Sequence, residues 1–157
     1  MEPTLTPHLA LAYLRELSTD VRGGIVLDRE WTRLAGDPEI ESGARALLAA
    51  GATTWLEVRA AAGWVFAARS PEGALVLVAG PHALPGLVRH DVDEVMAMLA
   101  AAAPADNAGA GAGTPLDEGD DQARGTGAGR SASNLSALAD GIQAALPPVG
   151  ERLERDR

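Results

Sequence analysis

A chain of 157 residues with net charge −9 and no cysteine has room for one ordinary domain plus extensions, and it lacks the basic footprint that neutralises phosphates or docks on anionic lipid. All 13 basic residues are Arg, which excludes a P-loop lysine, a Schiff-base lysine and a lysine general base. The absence of Cys excludes disulfides, thiolate zinc sites, iron–sulfur ligation and thiol nucleophiles, in keeping with a reducing compartment.

The opening segment carries Glu2 and two prolines, and Arg15-Glu16 breaks its apolar stretch. It reads as neither a signal peptide nor a spanning helix, so a cytoplasmic chain with no membrane insertion and no nucleic-acid partner is expected. Thr6-Pro7 supplies an N-cap and a first-turn proline for a helix over 7–18, with Leu9, Tyr13, Leu14 and Leu17 at helical spacing. Val21 to Leu27 is short and β-branched, lies between Asp20 and Asp28, and is followed after Asp28-Arg29-Glu30 by Trp31 to Leu34. The pair reads as a hairpin.

Asp37 as N-cap, Pro38 at the first helical position, Glu39 and Glu41 at the positive end of the dipole and Gly51 as terminator mark a second helix. Its apolar stripe is Ile40, Ala44, Leu47 and Leu48. Three strand-length runs follow, at 53–60, 64–69 and 74–79, separated by tight turns. The last two are apolar on both faces, as a sheet covered on both sides by helices requires. A third helix, starting at Leu84 or Pro85 and ending near Ala103, carries Leu87, Val88, Val92, Val95, Met96 and Leu99. The expectation is an α+β fold, a sandwich built on a five-stranded antiparallel sheet in the order α-β-β-α-β-β-β-α, with helices on both faces.

Composition then changes. From Pro104 to Asn134 the only large apolar residue is Leu116, and Gly, Ala, Asp and Ser dominate, so the segment cannot offset its own ordering entropy and reads as a flexible linker. Its reach is on the order of 30 Å root-mean-square for Gly-rich statistics. Leu135, Leu138, Ile142 and Leu146 make an i, i+3, i+7, i+11 stripe over 135–146 that stops at Pro147-Pro148. The stripe reads as a short amphipathic helix that docks on its own domain, on a second copy or on another protein, and residues 147–157 are a tail.

The segment 23–35, GGIVLDREWTRLA, and the run from Thr53 to Leu99, with EVRAAAGWVFAARSPEGALVLVAG and then LPGLVRHDVDEVMAML, resemble the Roadblock / dynein light-chain family. The resemblance covers 7–103. It implies a homodimer in which the third strands pair into one sheet and the helices after strand two lie side by side. It also implies work as a partner or activating protein of a bacterial Ras-like small GTPase, in signalling, without catalysis of its own and without a cofactor. Carried onto this chain, the paired helix is 38–50 and the pairing strand 53–60. The interface candidates are Ile40, Gly43, Ala44 and Leu47 on the helix, and Thr53, Trp55, Glu57 and Arg59 on the strand.

Other chemistry is weakly supported. His90 and Glu94 are i and i+4 on one helix face, but two ligands make no metal motif. No Ser stands in a G-x-S-x-G elbow. The glycine clusters at 109–113 and 125–129 neither follow a strand nor open a helix, and the acidic knot at 117–121 lacks calcium-loop spacing. Trp31, Trp55 and Trp64 read as core, with Trp55 alternatively a binding anchor. Arg29, Arg33, Arg45 and Arg59 are arginine-finger candidates by charge alone, against solvated, ion-paired surface residues. A second functional class remains open: a small-ligand sensor with a pocket around Trp64 and Phe66, or an assembly or secretion chaperone binding a peptide through its sheet or tail helix.

Overall fold

The computed structural model describes residues 5–51, 53–102 and 128–146, with side chains of the last segment from Asn134 onward. The elements are α1 (Pro7–Leu17), β1 (Val21–Asp28), β2 (Arg33–Gly36), a 3-10 turn (Pro38–Ile40), α2 (Glu41–Ala50), β3 (Trp55–Ala60), β4 (Gly63–Ser70), β5 (Gly73–Ala79), α3 (Pro85–Ala102) and α4 (Ala128–Ala145). The five strands form one antiparallel sheet in the spatial order β2-β1-β5-β4-β3. The expected element order and fold class are therefore those of the molecule. The linker expected over 104–134 lies mostly outside the described residues, as does the tail 147–157; within its last part, α4 begins at Ala128.

Period-two alternation in the central strands divides the core into two layers. Ile25, Leu27, Val65, Ala67, Val76 and Val78 face α2 and α4, with Ile40, Ala44, Leu47, Leu48, Ala139 and Ile142 packed on them. Val26, Phe66, Leu75 and Leu77 face α1 and α3, against Leu11, Leu14, Val88, Val92 and Val95. Both faces of β4 and β5 are buried, which is why those strands read as unbroken apolar runs.

Several local readings shift. On α1 the packed residues are Ala10, Leu11 and Leu14, while Leu9, Tyr13 and Leu17 are 57%, 40% and 43% exposed. Gly24 explains the choice of face: a Cβ there would stand 3.0 Å from Leu11 Cδ2 and 2.7 Å from Leu77 Cδ2, so the absent side chain lets α1 settle on the sheet. Trp31 is not in a strand. The Asp28 carboxylate accepts the amides of Glu30 and Thr32, each at 2.8 Å, and wraps the chain into a loop that places Trp31 at φ 64°. The hairpin register then carries an extra residue, Leu34, between the Val26–Ala35 and Leu27–Arg33 pairs.

Asp37 stands at the N-cap of the 3-10 turn, but its side chain makes no capping hydrogen bond. Its Oδ2 instead accepts the Gly24 amide at 3.0 Å and Arg15 Nη2 at 2.9 Å, tying the entry of α2 to β1 and to the end of α1.

Candidate interaction surfaces

Two surfaces follow from the topology. One is the outer edge of the sheet at β3. β3 pairs with β4 from Trp55–Ala68 to Ala60–Gly63 and takes no second strand among the described residues. Of the sequence candidates there, Thr53 precedes the strand and donates its hydroxyl to Trp55 O at 2.8 Å. Trp55, Glu57 and Arg59 alternate onto the α3 side of the sheet. The Trp55 ring stacks on Phe66 at 6.0 Å and lies under the Arg89 guanidinium at 5.4 Å, while its Nε1 donates to Glu57 Oε2 at 3.4 Å. Arg59 sits 5.1 Å over the Trp64 ring, and Trp64 stacks in turn on Phe66 at 6.1 Å. Phe66, fully buried, thus anchors two tryptophans, each half-covered and each capped by an arginine. Exposed charge on a bare edge is the usual device against uncontrolled strand pairing.

The second surface is the α2 face. Ile40, Ala44 and Leu47 are fully buried, and Gly43, on the same helix, lies beneath Ile142 of α4: a Cβ on Gly43 would stand 2.5 Å from Ile142 Cγ1. The tail stripe meets this face. Ile142 is 1% exposed, and Leu135, Leu138 and Leu146 pack around the same cluster. Sequence reasoning missed the polar fastenings of α4. Asp140 Oδ1 accepts the Ala61 amide at 2.7 Å in the β3–β4 turn, and Gln143 Nε2 donates to the carbonyls of Trp64 and Ala79, 3.3 Å each. Such pairings between residues 64 to 79 positions apart leave no mark in local spacing.

The arginine candidates are engaged at home. Glu41 accepts from Arg33 at 3.2 Å and from Arg45 at 2.6 Å, and Arg45 Nε also donates to Trp31 O at 2.9 Å. Arg29 stands 4.0 Å from Glu30. His90 is a solvent-facing side chain with Nδ1 3.5 Å from Asp91 Oδ1. Among the described residues no group of three or more His, Asp or Glu side chains is placed to hold a metal ion, and no helix is long and apolar enough to cross a membrane. A cavity of about 330 Å³ lies between the start of α1 and the end of α3, lined by Leu5, Pro7, Val26, Leu34, Met96 and Leu99. It is therefore away from Trp64 and Phe66, where a ligand pocket was expected.

A scan against protein-family models finds no match, and neither does a search of curated proteins. Among solved structures, the chain is similar to the crystal structure of a Roadblock/LC7 domain from Streptomyces avermitilis, with a TM-score of 0.52 and 13% identity over 59% of this chain and 92% of that one. A further Roadblock/LC7 domain structure from the same organism gives a TM-score of 0.49 at 14% identity, over 56% and 92% of the two chains. With its five-stranded sheet, helices on both faces and helix between the second and third strands, the chain has the Roadblock/LC7 fold.

Proposed function

We propose that this chain is a non-catalytic cytoplasmic regulator or scaffold that works by protein–protein contact. In its working state it is a homodimer, and its partner is a bacterial Ras-like small GTPase. The observation that supports the reading best is the unpartnered edge of β3 beside the α2 face, on a domain with the Roadblock/LC7 fold. An open edge offers main-chain donors and acceptors to a second strand, and alternate side chains set its register. The ion pairs that hold Arg33 and Arg45 to Glu41 favour a scaffold that positions the GTPase's own groups over one that supplies an arginine finger.

The test is capture of a Ras-like GTPase loaded with GDP or with a non-hydrolysable GTP analogue, together with the mass of the chain by light scattering at micromolar concentration. Capture that depends on the nucleotide supports the reading; equal failure with both nucleotides overturns the GTPase assignment.

A second reading, a small-ligand sensor, draws on the apolar cavity between α1 and α3, whose volume is at the lower end of ligand-site sizes. A thermal-shift screen of apolar small molecules tests it, with Leu99→Trp as the variant that fills the cavity and abolishes any shift.

A further inference from the structure

Two helices cover one face of the sheet, and they are held there differently. α2 follows β2 directly, through Asp37 and the 3-10 turn. α4 is reached from α3 only through residues 103–127, whose composition is mostly Gly, Ala and Asp. Its seat is nonetheless specific: Ile142 fills the gap that Gly43 leaves in α2, Leu146 lies against Gly23, and Asp140 and Gln143 fasten the helix to the backbone of the β3–β4 turn, β4 and β5.

The helix itself is poorly secured. Gly141 stands in its interior, where a Cβ would meet nothing within 4 Å, so no close approach requires a glycine there and the residue only weakens the helix. Gln143 Oε1 is buried without a partner.

We propose that α4 is a displaceable cover of the α2 face, and that the occupant which replaces it is α2 of a second copy of this chain. The inference rests on the homodimer reading above and adds its control: docked α4 keeps the chain monomeric, and released α4 permits the dimer. Without α4 the cluster that holds Ile40 of the 3-10 turn, Leu47 of α2 and Val58 and Ala60 of β3 loses Ala139 and Ile142, and the Gly43 notch stands empty beside the open β3 edge. α4 packs on both elements that the dimer uses. A pairing of α2 with α2 of a second copy would be twofold, with the same residues on both sides. A tethered helix competes at an effective concentration on the order of millimolar, so a second copy at micromolar concentration wins only when something else holds α4.

The test uses the full-length chain and its Ile142→Asp variant, which places a charge in the seat without altering α2 or β3. Mass is measured by sedimentation and light scattering, and docking by hydrogen exchange of the α4 amides and of Ala61. The expected result is a monomer with protected α4 for the parent chain, and for the variant at least tenfold faster exchange and a dimer. A peptide of residues 128–146 then returns the variant to monomer.

A parent chain that is dimeric with α4 still protected overturns the competition and leaves the homodimer reading standing. A variant with released α4 that stays monomeric at all concentrations overturns both. Should Ile142→Asp fail to fold, the double variant Asp140→Ala/Gln143→Ala, which removes only the polar fastenings, gives the same readouts through the α4 amides.

Discussion

Arg69 donates from Nη1 to the carbonyl of Gly51 at 2.6 Å, and from the same nitrogen to that of Leu48 at 3.2 Å. A β4 side chain thereby closes the C-terminus of α2, where the last carbonyls of a helix lack intrahelical partners and carry the negative end of its dipole. The same guanidinium lies 5.2 Å from the centre of the Trp31 ring, so one residue joins helix, sheet and the β1–β2 loop.

Replacing Arg69 by Met keeps the aliphatic stem and removes these bonds. The expected loss is about 2 kcal/mol in urea unfolding with an unchanged m-value, because charge-assisted hydrogen bonds contribute roughly 1.5–3 kcal/mol. Arg69→Lys restores less than half of it, since an ammonium cannot both reach the two carbonyls and lie flat on Trp31.

Asp37 separates charge from hydrogen bonding. Asp37→Asn keeps an acceptor for the Gly24 amide and loses the partly exposed ion pair with Arg15, which is expected to cost under about 1 kcal/mol. Asp37→Ala leaves the donor of buried Gly24 without its acceptor and costs about 2 kcal/mol. Equal losses in the two variants, read from thermal or urea unfolding, would refute this division.

Phe66→Ala removes the ring on which Trp55 and Trp64 both stack, at a position with no exposed surface. It is expected to cost about 3–5 kcal/mol and to alter tryptophan fluorescence before unfolding begins, because both indoles lose their support. A native-like emission spectrum in a destabilised variant would separate the tryptophans from Phe66.

Gly43→Ala sets helix propensity against packing. Alanine favours an exposed helix interior over glycine by about 1 kcal/mol, but its Cβ would stand 2.5 Å from Ile142 Cγ1. The single variant is therefore expected to be destabilised or neutral, and in the Ile142→Ala background, which removes Cγ1, the same substitution becomes stabilising. A double-mutant cycle with a coupling of at least about 0.5 kcal/mol supports the contact; strict additivity refutes it.

What the sequence made legible was the part of the fold written in local period and punctuation. Thr6-Pro7 opens α1, with the Leu9 amide donating to Thr6 Oγ1 at 3.3 Å, and the twofold apolar runs of β4 and β5 announce a sheet covered on both sides. What stayed hidden depended on distant partners. Asp37 looks like an N-cap because Asp before Pro usually is one, yet Gly24 and Arg15 claim its carboxylate. Leu9, Tyr13 and Leu17 make as good a helical stripe as Leu11 and Leu14, and only the bare backbone of Gly24 decides between them. Of the surface candidates, Trp55, Glu57 and Arg59 share one side of an edge strand by simple alternation. That Gly43 lies beneath Ile142, 99 positions on (142 − 43), could be seen only in three dimensions.

The position of α4 in the chain also has a consequence during synthesis. The domain through Ala102 is synthesised before α4, and at about 5–20 residues per second residue 146 is added on the order of seconds later. A small α/β domain folds faster than that. The α2 face is therefore made before the helix that covers it, and for that interval the Gly43 notch has no Ile142 in it and the core cluster lacks Ala139.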